Sequence, residues 1–246
     1  MRFLKIKKRK GRARSDGSTI TEMVIVEKNR KYGDVLSEKG LSVKSSILIT
    51  GANASGKSRW LERMHKEAAT IWGGRAKHTP IYLAAVQPIA AWVDVPHVAA
   101  WWDKKLADKP NEIEENRRRA YKQLRNWEKA DAVAEYLEAT NAILFVDDAH
   151  KLSGMKAEIA RKCINTAKLW VVAASNEQRI RPGLRHPILN SKPQTVHLDS
   201  DVAYDMTGPL MWAAATVAFI AGFYGLAGVI GGMRLLSGGL RAARQE

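Results

Sequence analysis

A glycine-rich turn held between a strand-like run and a helix-like run constrains this chain more than any other feature. Residues 51–58 read Gly51-Ala52-Asn53-Ala54-Ser55-Gly56-Lys57-Ser58, a fit to the phosphate-binding pattern G-x-x-x-x-G-K-[ST]. The preceding Ser46-Ile47-Leu48-Ile49-Thr50 is short, apolar and β-branched, as a buried strand is. From Lys57 through Ala69 apolar residues recur at helical spacing. Such a strand-to-helix turn aims backbone N–H groups and a helix N-terminus at one point, which suits a polyphosphate. In that setting Lys57 reaches the β- and γ-phosphates and the Ser58 hydroxyl is a ligand for Mg²⁺.

A second element has to supply the other side of a metal site. Asn141-Ala-Ile-Leu-Phe-Val-Asp-Asp-Ala-His150 places two carboxylates after five apolar residues, as expected of a buried parallel strand delivering acids at its C-terminal edge. Asp147 is the candidate for holding Mg²⁺ through water. Asp148 stands where many ATPases with such a turn carry a glutamate that polarises the attacking water, a role that this likeness implies. With aspartate there instead of glutamate, the carboxylate is drawn back by about one C–C bond, roughly 1.5 Å, which predicts slow hydrolysis or a rearrangement. A strand ending in a solvated Asp-Asp turn is the plainer alternative.

In these two motifs the chain resembles the P-loop ATPases of the AAA+ and related additional-strand class, over roughly residues 47–198 in organisation. The resemblance implies an α/β fold with a five-stranded, mainly parallel sheet flanked by helices, and ATP with Mg²⁺ as ligands. It implies a further strand carrying a polar sensor beside the γ-phosphate; Lys168-Leu-Trp-Val-Val-Ala-Ala-Ser-Asn176 is similar to it, with Asn176 in the sensor position. It also implies an arginine acting on the nucleotide of the next subunit. Arg179, Arg181 and Arg185 all qualify, with a solvated helix-end charge as the alternative for each. The sequence departs from the class in having no small helical lid after the core. Asp147-Asp-Ala-His150 is also similar to the Asp-Glu-Ala-His box of helicases, but those need two RecA-like domains and this chain has room for one.

Composition bounds the partners. A chain of 246 residues holds one core of ordinary size with appendages. Its one cysteine, Cys163, permits no intrachain disulfide and fits a reducing compartment. A net charge of +15 implies a polyanionic neighbour, nucleic acid or anionic lipid. Eight of the thirteen residues from Arg2 to Arg14 are Lys or Arg, without the apolar core of a secretory signal, so residues 1–18 read as a flexible basic arm. A solubilising tail is the alternative.

Between the motifs the pattern is less specific. Residues 19–26 alternate in part and suit a strand, residues 33–44 are polar and loop-like, and residues 80–86 read as the second core strand. Trp92, Trp101 and Trp102 are candidates for substrate contact, with packing under the next helix as the alternative. Residues 111–138 carry a long, charge-rich helical pattern. Its basic sector, from Arg117-Arg118-Arg119 to Lys129, suits either nucleic acid or a solvated face laced with ion pairs.

The last strong signal is apolar. From Met206 to Met233 no residue is charged, a run of 28. As a helix it extends roughly 42 Å, against a hydrocarbon core of about 30 Å. Gly228-x-x-x-Gly232 and Ala214-x-x-x-Ala218-x-x-x-Gly222 suit close helix approach. The organisation expected is therefore a basic arm over 1–18, an ATPase domain over 19–200, a transmembrane helix over 207–236 and a short tail over 237–246. Positive charge after the helix favours a C-terminus inside, whereas an ATP-binding domain before it belongs on the cytoplasmic side. A single span with the domain inside and a glycine-broken hairpin are the two solutions. This layout, a P-loop domain and then one membrane helix, is similar in architecture to the zonula occludens toxin-like ATPases of filamentous-phage assembly. The expected function is a membrane-anchored, homo-oligomeric ATPase coupling hydrolysis to movement or assembly of a macromolecule. The alternatives are a nucleotide-gated switch or scaffold with little turnover, and a DNA translocase or packaging motor.

Overall fold

The computed structural model describes residues 3–13, 19–28, 35–41, 43–53, 55–73, 76–198, 216–217 and 220–222. Two compact units divide the chain at residue 200. The first contains two sheets. Strands β1 (Phe3–Ala13), β2 (Thr19–Lys28) and β3 (Val35–Leu41) form an antiparallel sheet in that order. Strands β4 (Ile47–Gly51), β5 (Ile81–Ala84), β6 (Leu144–Asp147), β7 (Trp170–Ala174) and β8 (Gln194–Leu198) form a wholly parallel sheet in the order β5-β6-β7-β4-β8. The strand bearing the glycine-rich turn is thus separated from the strand bearing the two aspartates by one inserted strand, β7. This is the α/β, P-loop NTPase-like layout that the two motifs imply.

Strand alternation decides which side chains meet which helices. Ile47, Ile49, Ile143, Phe145, Val171 and Ala173 pack with Trp60, Leu61 and Met64 of α1 (Lys57–Lys66) and with Ile71 and Trp72 of α2 (Ala68–Trp72). Leu48, Leu83, Leu144, Val146, Val172 and Ala174 face the other way. They pack against α3 (Ile89–Val93), α4 (Pro96–Asp108), α5 (Asn126–Thr140), α6 (Gly154–Thr166) and α7 (Pro182–Asn190). The central strands β4, β6 and β7 are buried along their whole length, which explains why they read as continuous apolar runs.

The antiparallel sheet corrects the expectation of a flexible basic arm. Phe3–Ala13 is a strand paired with β2, and Ile6 lies opposite Ile25. Ile6, Met23, Ile25 and Leu41 join the same core as Ile47, Ile49, Val196 and Leu198. Lys5 and Lys7 alternate outward around Ile6. Lysine is common on edge strands, where it discourages further pairing, so the dense charge hid a period of two. Residues 35–41, expected as loop, are likewise a strand, because β2 offers them a paired edge. The Gln194 side chain donates to Gly40 O at 2.8 Å, and Lys39 donates to His197 O.

A second correction concerns residues 111–138. The helix begins only at Asn126; before it the chain makes single 3₁₀ turns at Pro110–Glu112, Glu115–Arg117 and Tyr121–Gln123. Tertiary contacts override the helical spacing. Arg117 is buried, bonded to Glu135 at 2.9 Å and stacked over Trp102 at 5.1 Å. Arg119 pairs with Glu128, whose other oxygen accepts the Arg125 N–H and starts α5. Arg118 donates to Ile113 O. The arginine triplet is therefore committed to this chain's own turn and does not form an open basic sector. Trp92 and Trp102 are fully buried, with indole N–H groups donating to Ala84 O and Arg119 O, which removes them as contact residues; Trp101 is half-buried.

Most of the segment 207–236 and the tail 237–246 lie outside the described residues. Within that segment Ala221 N–H donates to Val217 O at 2.9 Å, one helical turn, with Val217 and Ile220 exposed. Among the described residues no helix is long and apolar enough to cross a membrane.

Candidate functional site

The site lies at the C-terminal edge of the parallel sheet, where β4, β6 and β7 end side by side. Gly51 must be glycine because of close approach. A Cβ there would lie 2.4 Å from Leu198 O and 2.8 Å from Ser55 Oγ. Gly51 N–H donates to Ser175 O at 3.3 Å, and Ser55 N–H closes a turn on Ala52 O at 3.2 Å. Gly56 takes φ 87°, a left-handed backbone that turns the chain into α1. No side chain caps α1, and its first turn carries no acid, so the positive end of its dipole faces the turn. Ala52, Asn53 and Ser58 are exposed on it, whereas Ser55 is buried. Ala54 lies outside the described residues.

Lys57 is 5% exposed. Its Nζ donates to Gly51 O at 2.9 Å and to Ala52 O at 2.7 Å. Burial lowers its pKa, and the charges of Asp148 and Asp147 oppose that shift. The ammonium therefore stands in the field of both carboxylates. Asp147 continues the parity of Phe145, the α1 side of the sheet, and is 7% exposed. Its Oδ1 accepts the Asp148 N–H at 2.9 Å and its Oδ2 accepts the Tyr82 hydroxyl at 3.4 Å. Burial first, then the Asp147 charge, pushes the Tyr82 hydroxyl well above its ordinary value, so it stays a donor. Asp148 takes a left-handed φ of 53°, and its Oδ2 is bonded to Lys151 Nζ at 2.6 Å.

His150 is tied to the inserted strand: its Nδ1 accepts the Ser175 N–H at 3.2 Å. Burial holds its pKa down, so the ring is neutral with its proton on Nε2. Among the described residues, Ser55 Oγ and Ser175 Oγ are buried without a hydrogen-bond partner. Two orphan hydroxyls beside an uncapped helix start and a buried ammonium form a donor set that fits an anion carrying a divalent cation.

Not every expected residue converges. Asn176 is exposed, and its Oδ1 accepts the Gln178 N–H at 3.0 Å, capping the turn Glu177–Arg179. Its neighbour Ser175, which the sequence reading passed over, holds the inward position. The signal was available: parity counted from Val171 and Ala173 puts residue 175 on the α1 side. Of the three arginines, Arg179 is the one whose charge reaches His150. Arg181 is exposed at the start of α7, and Arg185 is half-buried along it beside Glu177 and Leu189.

No protein-family model matches the sequence, and no curated protein matches it. Among solved structures, the chain is similar to a DNA replication initiation factor, at 15% identity and a TM-score of 0.36 over 73% of this chain and 46% of that one. It is similar to Cdc6p from Pyrobaculum aerophilum, at 15% identity and 0.36 over 68% and 43%. It is also similar to ATPases 2 and 3 of EccC from Thermomonospora curvata, at 14% and 0.37 over 70% and 34%. The chain spans less than half the length of these structures. At such scores the fold rests on the strand order described above rather than on the likenesses.

Proposed function

We propose that this chain binds ATP with Mg²⁺ at the turn Gly51–Ser58 and hydrolyses it, as an AAA+-like, homo-oligomeric ATPase whose turnover moves or assembles a macromolecule at a membrane. One observation supports the nucleotide reading above the others. The buried Lys57 ammonium, the Asp147 and Asp148 carboxylates and an uncapped helix start converge at one sheet edge. In this reading Lys57 leaves Gly51 O and Ala52 O for phosphate oxygens. Ser58 and Asp147 hold the metal ion, which when bound neutralises phosphate charge and polarises the phosphoryl group. Asp148 orients the attacking water. Ser175 Oγ donates to a phosphate oxygen, with Asn176 shaping the turn behind it. Arg181 or Arg185 serves the nucleotide of a neighbouring subunit. Segment 207–236 anchors the chain with the ATPase domain on the cytoplasmic side, and the basic first strand faces nucleic acid or anionic lipid.

The test is ATP binding and turnover by the full chain in detergent, with and without DNA, beside Asp148→Asn. That variant is expected to bind ATP normally and lose at least about tenfold in turnover, a barrier change of about 1.4 kcal/mol. Unchanged turnover removes Asp148 from the chemistry. Resistance to carbonate extraction is expected of the full chain, and release by carbonate refutes the anchor. The ion pair between Asp148 and Lys151 favours a second reading, a nucleotide-gated switch with low turnover; bound ATP that persists over many minutes distinguishes it.

A further inference from the structure

The carboxylate placed to orient water is already engaged by a cation. Asp148 Oδ2 and Lys151 Nζ lie 2.6 Å apart. The pairing is built into the backbone. Asp148 enters the turn with φ 53°, residues Ala149–Lys151 form a 3₁₀ turn, and Lys151 N–H donates to Asp148 O at 2.8 Å. One tight turn therefore sets both ends of the contact. Lys57, the other ammonium near Asp148, is bonded to the carbonyls of Gly51 and Ala52 and does not compete for it. The Lys151 side chain is 53% exposed while that of Asp148 is 19% exposed, so the lysine end of the pair is the one in contact with solvent.

We propose that Lys151 is a positioning residue that holds Asp148 away from the attacking water and sets a low basal turnover. This deepens the ATPase reading and rests on it. A carboxylate oxygen bonded to an ammonium has one acceptor direction fewer, and it is held toward the Lys151 side. The second oxygen, Oδ1, keeps its lone pairs, but the clamped Oδ2 fixes the direction in which it can present them. Opening the pair frees the carboxylate to accept the water's hydrogen bond. Exposed ion pairs of this type are weak, so the restraint is modest and reversible.

The expected effect of Lys151→Met is about a fivefold rise in kcat, equivalent to about 1 kcal/mol, with KM for ATP unchanged. Methionine keeps the apolar stem and removes the charge. Lys151→Arg keeps a cation on the same turn and is expected to stay near wild type. A readout independent of turnover is zero-length carbodiimide cross-linking of the nucleotide-free chain, followed by mass spectrometry. An amide between Lys151 and Asp148 is expected, and it should diminish with Mg²⁺ and a non-hydrolysable ATP analogue. Absence of the cross-link in the nucleotide-free chain overturns the clamp itself, whatever the turnover. A cross-link with kcat unchanged or lowered in Lys151→Met overturns the restraint. If neither wild type nor Lys151→Met hydrolyses ATP, the ATPase reading fails together with this proposal, and the cross-link then reports only a structural ion pair.

Discussion

Replacing Lys57 by Met separates what the site costs the fold from what it gives the ligand. Without nucleotide the ammonium makes two hydrogen bonds to carbonyls, worth about 3 kcal/mol together. Burial opposes this, since desolvation is the largest influence on its pKa and acts to lower it. The sign follows: the folded chain holds the lysine proton less tightly than the unfolded chain, so at neutral pH the charge opposes folding. Methionine fills the space without that penalty, and the melting temperature is expected to stay within about 3 °C of wild type, a change under about 1 kcal/mol. Binding behaves differently. An ammonium about 4 Å from a phosphate charge gains about 4 kcal/mol at an effective dielectric constant near 20, and the proposed role gives Lys57 two phosphate groups. After the two carbonyl bonds are surrendered, about 5 kcal/mol remains in favour of binding. Lys57→Met should therefore weaken ATP affinity by at least about a thousandfold. Titration calorimetry measures the affinity and calorimetric melting the stability. ATP affinity within tenfold of wild type refutes the site. A melting temperature lowered by more than about 8 °C refutes the claim that the buried charge is held for the ligand rather than for the fold.

Three further outcomes follow from the same contacts. Gly51→Ala places a methyl against Leu198 O and Ser55 Oγ; a loss of about 2–4 kcal/mol in denaturant unfolding is expected, and a neutral result means the turn can shift. Deleting residues 2–14 removes β1 and uncovers Ile25, so it should lower stability by at least about 2 kcal/mol as well as weaken salt-dependent binding to DNA or anionic liposomes; binding lost with stability intact restores the picture of a free arm. His65 and His97 have pKa values lowered by burial, so the unfolded chain takes up protons first. The stability they contribute is present above about pH 6.5 and falls as pH drops through their folded values. Urea unfolding at pH 7.5 and 5.5 should show that fall, and His97→Gln should reduce it.

Some of this was legible in the residues because the physics involved is local. A turn of this kind needs glycine where a Cβ would collide, at Gly51, and where the backbone turns left-handed, at Gly56, and both stand in the motif. Strands buried on both faces must be apolar throughout, so β4, β6 and β7 stand out, as does the delivery of Asp147 and Asp148 to a strand end. The Lys57 position follows from the same spacing.

What tertiary structure alone decided involves partners far apart in the chain. Nothing local tells Phe3–Ala13 that Ile6 will meet Ile25 and share a core with Val196, so charge density read as an arm. Arg117 looks like a solvated helix charge until Trp102 and Glu135 close around it. Parity along β7 chose Ser175 over Asn176 for the inward position. The one tight turn that binds Lys151 to Asp148 depends on a left-handed backbone at residue 148, which aspartate tolerates but which its own sequence does not dictate. The sequence on its own determined which ligand chemistry the turn suits. Which side chains face the glycine-rich turn was decided only when β7 came to lie between β4 and β6, because a strand's parity has no meaning until its neighbours define the two faces of the sheet.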